Sequence, residues 1–245
     1  MLRKTLTVLA LLSMATVPAH ADTLLTLKSH QDAFEVQGQS QPAQDSTVEL
    51  WIGEKGIARD DATSRVVLAG GKLYLVDHGS KTYSALDVPV DLAALLPEEM
   101  AAQVAQMREQ ATIAADVEAS DETKEIGDWT ARRYDVSLSN QMGLEVDQVI
   151  WASEEVGVDG AVYNRLTGTL AELQPGGADW VESLSVMKGF PVRRETTMRL
   201  GPGVEVMTTE ELVSVETKDA PDGTFGPPAG YTEKEFRPGA QPPGA

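Results

Sequence analysis

The 245-residue chain contains no cysteine. Thiol nucleophiles, thiolate metal sites, disulfides and lipid-modified cysteine are excluded together. Histidine is scarce as well, with three residues in all, His20, His30 and His78. Basic side chains are outnumbered: 20 Lys and Arg face 38 Asp and Glu, a formal net charge of -18. That balance argues against nucleic acid, whose phosphates are neutralised by Lys and Arg, and against docking on an anionic lipid surface. Beyond the first segment, no stretch approaches the ~20 apolar residues of a membrane span. No GxSxG, HxxxH, HExxH or glycine-rich strand-to-helix loop is present, so serine hydrolase, zinc and nucleotide chemistry have no motif to rest on. No repeat of fixed period is visible.

What is present begins with an address. Met1–Ala21 reads MLRKTLTVLALLSMATVPAHA, with Arg3 and Lys4 ahead of an apolar run from Leu6 to Val17, then Pro18 and the small-x-small end Ala19-His20-Ala21. This is the layout of a cleaved secretory signal peptide, and the run is too short to span a bilayer. Cleavage after Ala21 yields an exported, more acidic chain. Without cysteine for acylation it is expected free in the periplasm, not anchored as a lipoprotein.

The remainder reads as mostly β. Val48, Leu50 and Ile52 alternate with Thr47, Glu49 and Trp51, the period of a half-buried strand. Gly70-Gly71 sits between two strand-like runs as a two-residue hairpin signal. Closely spaced hairpins of this kind predict a single curved antiparallel sheet, strands first and last, with helices inserted. Pro97 opens one predicted helix, with Glu98 and Glu99 in its first turn and Met100, Val104, Met107 and Ala111 on one face. Asp159-Gly160 opens a second, striped by Val162, Leu166, Leu170 and Leu173, and Trp180, Leu184 and Met187 mark a further turn or two. Strands are expected at Thr123–Ile126, Thr130–Leu138, Leu144–Ala152, Pro191–Leu200 and Val204–Lys218. One domain is expected over 22–236, followed by a disordered Pro/Gly tail, Arg237–Ala245.

Chemistry is hard to find. His78 reads as a solvated turn residue and His30 as the end of a strand. Asp219–Gly223 has the look of a calcium loop but lacks the acidic alternation and the closing Glu, so a plain turn is expected. Asp60-Asp61 and Glu154-Glu155 read as acidic pairs at solvated strand ends. Arg132-Arg133 and Arg193-Arg194 each place one guanidinium on either face of a strand, the inward one for an anionic head group or for structural pairing with a carboxylate. No catalytic residue, metal site or cofactor is assigned. The apolar remainder is either ordinary core or the wall of a cavity. As a cavity it would be lined by Trp51, Met100, Val104, Met107, Tyr134 and Trp151, with methionine suiting an adaptable surface.

Val48-Glu49-Leu50-Trp51-Ile52-Gly53 through Arg59-Asp60, Lys81-Thr82-Tyr83, Gly189-Phe190-Pro191-Val192-Arg193 and Pro228-Ala229-Gly230-Tyr231 resemble a family of secreted bacterial proteins of unknown function. That family is similar to the lipoprotein-localisation carriers LolA and LolB. The resemblance implies an unclosed β-barrel of about a dozen antiparallel strands with an α-helical lid. The implied ligand is a lipid or acylated protein in an apolar concavity. No residue role is carried over, because the matching motifs are turns and strand anchors. Two departures stand out: there is no lipobox cysteine, and the charge is unusually negative, so a handover partner would need complementary positive surface.

These readings converge on a non-enzymatic, monomeric periplasmic binding or carrier protein for a hydrophobic small molecule or lipid. The alternative is an envelope interaction protein with a filled barrel, whose acidic face docks a basic protein. A carboxylate-only hydrolase ranks last.

Overall fold

Alternation of apolar and polar residues builds the molecule around one sheet. The structure, a computed structural model, describes residues 21–36, 38–201 and 203–237. Most of the expected signal segment Met1–Ala21 and of the expected tail Arg237–Ala245 lies outside the described residues.

The chain runs through β1 (Thr23–Gln31), β2 (Phe34–Val36), β3 (Gln39–Gln41), β4 (Gln44–Gly53), β5 (Gly56–Asp60), β6 (Ser64–Ala69), β7 (Lys72–Asp77) and β8 (Thr82–Asp87). Helix α1 (Glu98–Ala111) leads to β9 (Ala114–Ile126), β10 (Trp129–Ser139) and β11 (Glu145–Ser153). A short 3₁₀ turn (Glu154–Val156), α2 (Gly160–Ala171) and a second 3₁₀ segment (Asp179–Val186) precede β12 (Phe190–Gly201), β13 (Val204–Thr217) and β14 (Thr232–Glu233).

Twelve strands form one sheet in the order β14-β8-β7-β6-β5-β4-β1-β13-β12-β11-β10-β9, and β2-β3 make a separate ribbon. Two meanders, β4 to β8 and β9 to β13, are joined through β1, which pairs antiparallel with both β4 and β13. The expectation of a purely antiparallel sheet needs one correction: β14 runs parallel to β8. The sheet is open, with β14 and β9 as its edges. Edge strand β9 is longer than the expected Thr123–Ile126. Its added residues Ala114–Glu122 are mostly exposed, and the strand carries Asp116, Glu118, Asp121, Glu122 and Glu125. A charged edge needs hydrogen bonds on one side only and discourages pairing with another chain.

The sheet is strongly curved. Arg59 of β5 bonds to Glu210 of β13 although β4 and β1 lie between them. On a flat sheet, three strand spacings would separate them by about 14 Å. Curvature brings Leu25, Leu27, Val48, Leu50, Ile57, Val66, Leu73 and Leu212 into one buried cluster with Leu166 of α2. The opposite face of the first meander is also covered, because Leu24, Trp51, Ala58 and Val67 pack with Ala220 and Phe225 of the C-terminal segment. At the Gly70-Gly71 hairpin both residues have positive φ, 58° and 75°, the twist a two-residue turn requires. No helix among the described residues is long and apolar enough to cross a membrane.

Candidate functional site

The site begins where α2 crosses the concave face. Asp159 caps the helix by accepting a 2.9 Å hydrogen bond from Ala161 N, and Gly189 takes φ 83° beneath it. A Cβ at Gly160 would strike the Gly189 carbonyl, and one at Gly189 would strike the Ser153 backbone. Two glycines thus let the start of α2 sit directly on the junction between β11 and β12. From there Leu166 and Leu170 point to the sheet, where Tyr163 meets Phe190 edge-on at 6.2 Å.

Helix and sheet do not close completely. Between them lies a cavity of about 400 Å³, walled by Leu27, Val48, Leu50 and Val66 from the sheet and by Leu166, Leu170 and Phe190. Trp180 and Ile113 complete the apolar wall. Arg59, Arg194 and Glu210 also line it. Arg194 Nη2 donates to Glu210 Oε1 at 2.9 Å, and Arg59 Nη2 donates to Oε2 at 3.4 Å. The Tyr163 ring faces the Arg194 guanidinium at 5.5 Å. An apolar chamber with a few placed polar groups is the usual form of a small-molecule site, and this volume is near the lower end of the roughly 300–1,000 Å³ range.

None of the six residues expected to line a cavity is among those lining this one. Trp51 belongs to the opposite face of β4 from Leu50, with Lys218 Nζ 5.5 Å above its ring. Trp151 is buried in the same apolar cluster as the cavity wall but does not line the cavity, and Lys124 sits 5.6 Å from its ring. Tyr134 is buried in a neighbouring cluster, where its hydroxyl accepts a bond from Lys188 N. Met100 and Met107 are 46% and 38% exposed. Val104 lines a separate depression of about 420 Å³ between α1, Pro89–Ala93 and the loop after α2. The cover is α2, not α1. Only Ala111 of α1 is buried, whereas α2 presents long aliphatic side chains at successive turns.

Other residues also find partners. His78 is not a solvated turn residue: Nε2 bonds Asp60 at 2.8 Å, Nδ1 bonds the Tyr231 hydroxyl at 2.9 Å, and its side chain is only 20% exposed. Asp60 also pairs with Arg65, and Asp61 holds the Thr63–Ser64 turn, so this acidic pair is structural. Asp219–Gly223 forms part of a turn in which Thr224 N donates to Pro221 O. All four paired arginines meet carboxylates: Arg132 with Asp121, Arg133 with Asp135, Arg193 with Glu211 and Arg194 with Glu210.

The geometry therefore describes a mostly β protein whose curved sheet and crossing helix border a half-open apolar cavity with one polar corner. The chain belongs to the family described as "Domain of unknown function (DUF4412)", whose model matches residues 25–231. No curated protein matches it. Among solved structures it is similar to a LolA superfamily protein from Nitrosomonas europaea, with TM-score 0.30 and 8% identity over 84% of this chain and 90% of that one. It is also similar to an outer membrane lipoprotein-sorting protein domain from Vibrio parahaemolyticus, with TM-score 0.31 and 6% identity over 84% and 89% of the two chains.

Proposed function

We propose that the protein is a non-enzymatic binding protein for a hydrophobic ligand, a lipid or an acyl chain, held between α2 and the concave face of the sheet. The observation that carries this reading is the cavity of about 400 Å³ with Leu27, Leu50, Val66, Leu166, Leu170 and Phe190 in its wall. Dispersion contacts and release of water from such a wall favour an apolar guest, at about 25 cal/mol for each Å² removed from water. A volume of about 400 Å³, near the lower end of the roughly 300–1,000 Å³ range of small-molecule sites, suits a single chain better than a two-chain lipid. Export to the periplasm belongs to the same reading, supported by the charged, apolar and small-residue order of Met1–Ala21.

A neutral probe tests the cavity directly. Dodecanol titrated into the purified protein in a calorimeter is expected to bind at micromolar concentration. Leu170→Trp, which fills the chamber from the helix side, is expected to abolish the heat while the circular dichroism spectrum is kept. Absence of binding by the wild type, or equal binding by the filled variant, would refute the reading.

A further inference from the structure

The polar corner has more hydrogen-bonding capacity than the fold uses. A guanidinium carries five N–H donors in a planar fork. Among the described residues, Arg59 and Arg194 each make one side-chain hydrogen bond, and both go to Glu210. Asp61 stands 3.6 Å from Arg59 Nη1, an ion pair beyond hydrogen-bond reach. All three cavity residues are partly shielded from water, with side chains 30%, 24% and 12% exposed for Arg59, Arg194 and Glu210.

Glu210 and Asp61 together balance the two guanidinium charges, so what the corner holds ready for a guest is its unused N–H donors, in a chain whose net charge is -18. A pair of arginines bridged by one carboxylate serves no packing purpose that an aliphatic pair would not serve as well or better, because desolvating these charges offsets most of their attraction. What the arrangement adds is a planar, bidentate receptor for an anion beside an apolar wall. Tyr163 keeps Arg194 oriented through its ring face, so the fork is held before a ligand arrives.

We infer that the ligand is a single-chain amphiphile with an anionic head, whose carboxylate or phosphate is received by Arg59 and Arg194 while its chain lies along Leu27, Leu50 and Leu170. This rests on the proposed apolar site and names the chemistry of its guest. Glu210 spaces the two guanidinium groups in the empty site and competes with the head for them. The acidic exterior disfavours an anionic membrane surface, and two partly shielded guanidinium groups inside the chamber receive a single anionic molecule where the surface would repel a sheet of them.

Calorimetric titration with dodecanoate, dodecyl phosphate and dodecanol, at equal ionic strength, separates the possibilities. The wild type is expected to bind at least one of the two anions tenfold or more tightly than dodecanol, and the tighter anion identifies the head. Arg194→Gln and Arg59→Gln are each expected to lose about tenfold for that anion while leaving dodecanol within twofold. Glu210→Gln, which removes the competing charge but keeps an amide of the same shape, is expected to tighten the anion. Equal affinity for dodecanol and both anions, or an arginine variant that weakens dodecanol as much as the anion, would overturn the head-group assignment and leave the apolar site standing. Failure of all three probes to bind would instead remove the apolar site itself, and this assignment with it.

Discussion

Asp61 shows how much one side chain can fix in a short loop. Its Oδ1 accepts from Thr63 N at 2.8 Å, Thr63 Oγ1 at 2.7 Å and Ser64 N at 2.9 Å, and its Oδ2 accepts from Ser64 Oγ at 3.2 Å. Burial pushes the carboxyl pKa up, but the bonds from Thr63 and Ser64 and the nearby Arg59 pull it further down, to a net value below the ordinary one. A carboxylate with a lowered folded-state pKa contributes stability above its unfolded value of about 3.9 and loses it as pH falls through the folded value. Asp61→Ala is expected to lower stability by about 1–3 kcal/mol near neutral pH, since the buried Ser64 loses its acceptor along with the exposed Thr63. The gap in denaturation midpoint between wild type and variant should be constant from pH 7 to about 5 and shrink below about 4. A gap that does not change with pH would show that the charge of Asp61 is not what the turn uses. In the sequence this residue reads as a solvated strand end, because the pattern Asp-x-Thr-Ser names a possible turn without saying which donors face inward.

At the scale of elements, α1 and α2 look alike in the sequence and do different things. Both carry apolar residues at helical spacing, and the periodicity of each is realised: Glu98–Ala111 and Gly160–Ala171 are helices. Which helix covers the sheet was not legible, because that depends on the loops that deliver them. Pro89–Ala93 carries α1 aside to meet the loop after α2, whereas the close contact of Gly160 with Gly189 seats α2 on the sheet. Strand alternation likewise made Leu50 and Trp51 face opposite ways but could not say which face is concave. Arg194 could be placed inward or outward of its strand by parity alone, and only the register Ile150↔Arg194 sets it on the face that carries Ile150 and Tyr134, from which it lines the cavity beside Tyr163. Two expectations follow for the helices. Val104→Ala should leave dodecanol affinity within twofold and stability nearly unchanged, since Val104 lines only the side depression. Gly160→Ala should lower stability by about 1–3 kcal/mol and weaken dodecanol binding, because overpacking at the helix start lifts α2 from the sheet. Chemical denaturation and calorimetry read both, and a strong loss of binding in the Val104 variant would return the lid to α1. The C-terminal segment is a third element with its own fastening. His78 links Asp60 on β5 to Tyr231, so His78→Ala should speed amide exchange across Tyr231–Lys234 while the exchange of β4 and β5 is unchanged.

For the whole molecule, the decisive feature is where the first strand lies. β1 comes from the N-terminal end of the domain yet pairs on one side with β4 and on the other with β13, near the C-terminal end. Neither meander can complete the concave face without it: Leu25 and Leu27 of β1 join Val48 and Leu50 to Leu212 in a single cluster. Contacts of such large sequence separation incur their loop-closure entropy before packing offsets it, so slow folding is expected. The same seam should make unfolding cooperative although the sheet is built from two consecutive halves. Trp51 reports on the first half and Trp180 on the second, where it lines the cavity. With the other tryptophans replaced by phenylalanine, variants retaining Trp51 alone or Trp180 alone are expected to share one urea midpoint when corrected for their own stability by circular dichroism. Leu25, with no exposed surface, is the lever at the seam. Leu25→Ala should lower stability by about 2–5 kcal/mol through the void it leaves and should shift both tryptophan signals equally. If Leu25→Ala instead moved the Trp51 transition and left the Trp180 transition in place, the two meanders would be independent units, and the cavity between them and α2 would lack the shared rigid wall on which binding depends.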